Sequence, residues 1–357
     1  MIEADNISTD NAFPTPTEFV DEVWQANEQA AERCGTIDRD FCIGGRIIRL
    51  RFAGTELIAP VTSALAHLTH LSSSVVHPEL TIHIWDTRSS NIKMPFIPLW
   101  NDCSERGQVR AFTHSSISVT RLTAAGVFSV WDPARQLAIY WAYSADEIPS
   151  YERGAPFRGL LQAWWRAQSG LMLHAGAIGS KQGAALLVGK GGVGKSTAAL
   201  ACMEAGMHYL SDDYCLLTHQ PQPEVHSVYC SAKIYAADLQ RFPSLPPLIS
   251  NPQELGEEKA LCFLRHGSNC HLMPSLPLRV ILLPRISSCP HTSLLPASPM
   301  TALQALAPSA LLQLPEAGGT ELSSIREVVT RVPCFWLESG SDVQRIPQQV
   351  MEAIAHD

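Results

Sequence analysis

Apolar and polar positions along the chain follow two rhythms, and they change over near residue 150. Over 18–33, Phe19, Val20, Val23 and Trp24 recur at helical spacing and predict an amphipathic helix behind a polar lead-in over 1–16. From Phe41 the period shortens. Ile48, Leu50 and Phe52 alternate with Arg49 and Arg51 after a Gly44-Gly45 turn, and strand-length runs follow over 80–85, 116–122, 126–131 and 136–143. Residues 1–150 are therefore expected to form a mainly antiparallel, β-rich α+β domain with at least one helix, over 62–71, and to help present an acceptor.

A punctuated connection over 149–156 leads to a helix over 157–168, whose broad apolar face of Leu160, Leu161, Trp164 and Trp165 suits a position between the two halves. Apolar runs over 171–178 and 184–188, joined by a hairpin near 180–183, enter a glycine loop. A helix over 196–205 ends at Gly206, which suits a helix C-terminus, and a strand starts at Tyr209. The Pro-rich stretch 219–275 shows no period that defines an element. Beyond it the pattern predicts a buried strand over 278–283, helices over 301–314 and 325–330, a strand over 334–337 and a last helix after Ile346-Pro347. This alternation defines an α/β fold over 151–357, a central sheet flanked by helices.

Composition narrows the partners. Hydrophobic residues make up 46% and charged residues 17% of 357, as expected of a folding chain. The formal net charge of -8 supplies no basic field for nucleic acid or an anionic membrane, so neither is expected as a partner. Ten cysteines include no C-x-x-C pair and read as reduced thiols. The acidic N-terminus has no signal-peptide pattern, and no apolar run approaches the ~18 residues of a membrane span. A cytoplasmic location is the expectation, with a homo-oligomer compatible with it.

The chemistry is concentrated in one stretch. Gly189-Lys190-Gly191-Gly192-Val193-Gly194-Lys195-Ser196, followed by Thr197, matches G-x-x-x-x-G-K-[ST] at every fixed position. Glycines let backbone N–H groups turn toward a polyphosphate, Lys195 reaches the β/γ-phosphates, and the Ser196 hydroxyl suits Mg²⁺. In the nucleotide-free protein Lys195 is expected to face solvent or an anion. Asp212 and Asp213 follow after one helix and a return strand, which puts two carboxylates where one can hold Mg²⁺ and the other take a hydroxyl proton. His174 stands in an apolar strand from which one hairpin brings it to the loop. A buried histidine satisfied by backbone is the plainer reading of it.

Together, His174-Ala175-Gly176, GKGGVGKST over 189–197, Ala205-Gly206 and Leu210-Ser211-Asp212-Asp213 resemble the HPr kinase/phosphorylase family. The overall layout, with Pro333 before a late strand and Ile346-Pro347 before a final helix, resembles more nearly the HPr-kinase-related proteins of peptide-modification clusters, the lasso-peptide kinases among them. The resemblance covers about 170–217. It implies transfer of the ATP γ-phosphoryl group to a serine of a peptide or small protein, with Asp212 as base, Asp213 and Ser196 near the metal, and His174 either behind the groups that touch the reactants or facing the phosphates. The family's later Glu-x-Arg-Gly element has its nearest counterpart in Glu224-Val225-His226-Ser227, which lacks the Arg and Gly. A small-molecule kinase and a non-catalytic, nucleotide-dependent regulator remain alternatives.

Overall fold

The computed structural model describes residues 14–71, 77–97, 100–104, 107–122, 126–265, 270–287, 289, 291–311, 319–340 and 342–356. The chain is a mixed α/β protein built on several sheets. Its first part runs α1 (Pro16–Cys34), β1 (Thr36–Ile43), β2 (Arg46–Ala53), α2 (Ile58–Thr62), β3 (Leu80–Asp86), α3 (Thr87–Ser90), β4 (Ser118–Leu122), β5 (Val127–Asp132), β6 (Leu137–Ala142) and α4 (Ser150–Arg153). Thr15 starts α1 with a reciprocal capping box to Glu18. Phe19, Val20, Val23, Ala26 and Ala30 then bury one stripe of the helix against a six-stranded sheet of order β1-β2-β3-β6-β5-β4.

Two of those pairings, β2 with β3 and β3 with β6, are parallel, so the sheet is less antiparallel than its strand spacing implies. Long connections over 54–79 and 87–136 allow this, because they return the chain to the same end of the sheet. The helix expected over 62–71 is instead α2 running into a 3₁₀ turn over Ser63–Leu68.

The second part continues with α5 (Arg158–Ala167), β7 (Leu171–Leu173), β8 (Gly176–Ser180), β9 (Gly183–Leu187), α6 (Lys195–Glu204), β10 (His208–Ser211), β11 (Cys215–Thr218), β12 (Glu224–Ser227), β13 (Ser231–Ile234), β14 (Ala260–Phe263), β15 (His271–Leu272), β16 (Ser275–Ile286), β17 (Ser293–Pro296), α7 (Pro299–Leu311), α8 (Gly319–Arg331), β18 (Cys334–Ser339) and α9 (Ile346–Ala355). Its large sheet has the order β15-β10-β8-β9-β16-β12-β11-β7, with β18 beside β16 and β17 beside β18, while β13 and β14 form a separate hairpin. Side chains of α6 and α9 pack on one face, and those of α7 and α8 on the other. The helix expected over 301–314 ends at Leu311, and residues 312–314 lie outside the described residues. The lead-in over 1–13 does so too.

A single apolar cluster joins the two sheets. Ile48, Leu50, Phe52, Ile84 and Tyr140 from the first meet Leu160, Leu161, Trp164 and Trp165 of α5 and Met172, Leu216 and Tyr229 beyond it. Each tryptophan removes roughly 150–250 Å² from water, worth about 4–6 kcal/mol as an upper estimate.

Candidate active site

Strand pairing collects the sequence-marked residues at one edge of the large sheet. Leu187, the last residue of β9 before the glycine loop, pairs with Gly176 at the start of β8, while Ser211 at the end of β10 pairs with Ala177. Because β8 runs antiparallel to both neighbours, its beginning meets their ends. His174 therefore lies between the glycine loop and the Asp212-Asp213 pair. The apolar run expected as one strand over 171–178 is broken here, with β7 pairing to β11 on the other side of the sheet. The break frees the His174 side chain from a ladder position.

The glycine loop then turns into α6. Gly189, Gly192 and Gly194 take φ values of 138°, 82° and 102°, a region that side chains with a Cβ rarely enter. A Cβ added at Gly191, Gly192 or Gly194 would meet nothing within 4 Å, so the outer surface of the loop is open. The opening amides of α6, at Lys195, Ser196 and Thr197, meet no acceptor among the described residues, and the Ser196 hydroxyl makes no hydrogen bond there either. This cradle fits an anion at the positive end of a helix.

Lys195 departs from expectation. It is 6% exposed rather than facing solvent, and its Nζ donates to the carbonyls of Gly189 at 2.7 Å and Lys190 at 3.2 Å. Loop carbonyls thus stand where solvent or an anion was expected. Burial lowers its pKa, against the raising effect of the Asp213 charge.

The two carboxylates have different surroundings. Asp212 is 2% exposed; its Oδ1 accepts from the Tyr209 hydroxyl at 3.1 Å and its Oδ2 from the Lys233 backbone N–H at 3.2 Å. Burial, then the neighbouring Asp213 charge, raises its pKa. Asp213 has a side chain 21% exposed and lies 2.8 Å from His174 Nε2 and 3.0 Å from Lys233 Nζ. Burial would raise its pKa too, but the Lys233 charge and the His174 hydrogen bond together hold the carboxyl well below the usual range. Each carboxylate thus has both oxygens engaged, and the two differ in exposure: Asp212, expected as base, is the buried one, and Asp213, expected as metal-associated, is the more open.

Lys233 carried no signal in the sequence, where Ser-Ala-Lys-Ile is an ordinary strand fragment. The β13–β14 hairpin delivers it from a stretch with no readable period. The same lysine lines an open cavity of about 470 Å³ with Tyr151, Tyr235, Glu257, Glu258 and Lys259. Among the described residues no group of three His, Cys, Asp or Glu side chains could hold a metal ion. Mg²⁺ sites at phosphates need fewer protein ligands than that, since phosphates and water complete the shell. No helix of the described residues is long and apolar enough to cross a membrane.

No protein-family model matches the sequence, and no curated protein matches it. The solved Hpr(Ser) kinase/phosphatase from Coxiella burnetii aligns with 50% of this chain and 93% of its own, at 12% identity and a TM-score of 0.27. A likeness of that size carries no argument about function.

Proposed function

We propose that the protein is a Mg²⁺- and ATP-dependent serine kinase acting on a peptide or small protein. The observation that carries the reading is the meeting of an open glycine loop, His174 and two unlike aspartates at one sheet edge.

Residues 189–197 would hold the polyphosphate, with Lys195 leaving the Gly189 and Lys190 carbonyls for phosphate oxygens. Ser196 would be the protein ligand for Mg²⁺, which when bound would neutralise phosphate charge. Lys233 Nζ and His174 Nε2 engage the two oxygens of Asp213, the more open carboxylate, and we assign it to the acceptor, whose hydroxyl would approach a remaining lone pair, rather than to the metal. Asp213 receives the serine proton as the serine oxygen bonds to the γ-phosphorus and the β,γ-bridging oxygen leaves with ADP. A carboxylate of low pKa suffices, because a loose transition state needs little proton transfer before the donor bond breaks. His174 and Lys233 keep that carboxylate ionised and oriented. The cavity beside Lys233 would admit the acceptor, with the first sheet helping to present it.

The test is incubation with ATP, Mg²⁺ and the peptides encoded beside the gene, read by mass spectrometry. A phosphoserine is expected, and Lys195→Ala should reduce its formation by ~10²- to 10³-fold. Nucleotide binding without transfer to any hydroxyl would favour a regulator, and undiminished transfer by Lys195→Ala would remove the glycine loop from the mechanism.

A further inference from the structure

The connection between the two sheets places a polar cluster against the site. Glu152, 2% exposed at the end of the first sheet's chain, accepts from the Phe157 N–H at 3.2 Å and from the Tyr140 hydroxyl of β6 at 3.4 Å. Arg158, the first residue of α5, lies 3.7 Å from the other Glu152 oxygen and donates through its NH1 to the Tyr214 hydroxyl at 3.1 Å. Its guanidinium carbon sits 5.2 Å from the Tyr214 ring centre, and its Nε is buried with no hydrogen-bond partner among the described residues. Tyr214 in turn packs against His174, ring centres 5.2 Å apart and planes tilted by 39°. Among the described residues the buried His174 Nδ1 meets no hydrogen-bond partner, and the imidazole is held by Asp213 at its other nitrogen and packs on the Tyr214 ring.

We propose that Arg158 is a positioning residue for phosphoryl transfer, which fixes Tyr214 and thereby the His174 imidazole on Asp213. Geometry explains why one residue has this leverage. A histidine with a single hydrogen bond can swing about it, and here the Tyr214 ring packs against the imidazole. That ring is pinned at its hydroxyl by a guanidinium, which is pinned by a carboxylate buried against the first sheet. Five contacts, Tyr140–Glu152, Glu152–Arg158, Arg158–Tyr214, Tyr214–His174 and His174–Asp213, then carry the position of Tyr140 to the candidate proton acceptor. Without Arg158 the ring would keep its packing but lose its anchor, and the imidazole would lose its fixed angle.

The proposal rests on the kinase reading for its kinetic arm and on the structure alone for its spectroscopic arm. Arg158→Gln and Tyr214→Phe should each lower kcat by ~10- to 100-fold, the scale of a small misplacement at a reacting centre, with KM for ATP unchanged. Arg158→Lys, which keeps the charge without the fork, should recover part of the loss. Tyr214→Phe keeps the Glu152–Arg158 pair and guards against a variant that merely unfolds. In parallel, ¹⁵N NMR of ring-labelled histidine, with His174→Gln assigning the signal, should show the His174 resonances displaced in both variants. Unmoved His174 resonances in the folded variants, or equal damage from Arg158→Lys and Arg158→Gln, would overturn the positioning role. Displaced resonances in a protein that transfers phosphate to no acceptor would uphold it and defeat the kinase reading.

Discussion

Asp212 and Asp213 are adjacent in sequence and opposite in electrostatics. Asp212 has its pKa raised from an ordinary 3.8 by burial, so the folded state holds its proton more tightly than the unfolded chain does. Its contribution to stability is full below pH 3.8 and is lost as pH rises through the folded value. Asp213, whose pKa is lowered, contributes above 3.8 and loses that contribution on acidification through its folded value. Asp212→Asn should therefore gain stability relative to the parent as pH climbs from 4 to 7, measured by urea unfolding. An amide fits there, since Oδ1 can accept from the Lys233 N–H while Nδ2 donates to the Tyr209 hydroxyl. Asp213→Asn should instead cut phosphoryl transfer by ~10²- to 10⁴-fold with nucleotide binding kept. If Asp212→Asn proves the inactive variant, the roles revert to those the sequence suggested. Sequence could name both residues, because the strand end after a P-loop helix is a ligand position in α/β sheets. It could not divide them, because the division comes from burial and from Lys233, which arrives from β13, while Tyr209 of β10 itself takes the Asp212 side.

At the scale of elements, long apolar runs and capped helices were readable, and short paired segments were not. The α1 helix, with its capping box, and the apolar core of β16 stand out by period alone. The strands β12 to β15 have two to four residues each, too few for an alternation to register, and they exist because of their partners: β11 and β16 for β12, each other for β13 and β14, and β10 for β15. That is where Lys233 was hidden. Its side chain depends on a neighbouring connector: a Cβ on Gly154 would stand 2.8 Å from Lys233 Cε and 2.8 Å from Leu261 Cδ1, and Lys233 Nζ also donates to the Tyr151 carbonyl at 3.3 Å. Gly154 has ordinary backbone angles, so Gly154→Ala tests space and not strain. It should push the lysine from Asp213 and reduce kcat by ~10-fold or more, at a stability cost of about 1–3 kcal/mol. An unchanged kcat in that variant would show that the Lys233–Asp213 contact tolerates displacement.

For the whole molecule the deciding feature is the apolar seam between the sheets. The sequence placed α5 there from its four apolar residues, and the cluster around Trp164 and Trp165 has members on both sides. A chain beginning near Ser150 would expose those tryptophans with Met172 and Leu216, so loss of acceptor phosphorylation in it would not isolate a presenting role for residues 1–150. A substitution inside the intact chain is the better probe. Gly44, in the turn between β1 and β2, has φ +57°, and a Cβ there would lie 2.7 Å from both Leu216 Cδ2 and the Trp165 ring. The turn tip of the first sheet is thus seated directly on a strand of the second and on α5. Gly44→Ala should cost about 1–3 kcal/mol through overpacking and the left-handed backbone. Since one core is disturbed, calorimetry should show a single unfolding transition in both proteins, shifted to lower temperature in the variant, with tryptophan fluorescence and far-UV circular dichroism falling together. Two transitions, only one of which moves, would mean that the sheets unfold independently and that the seam is a contact between separate domains.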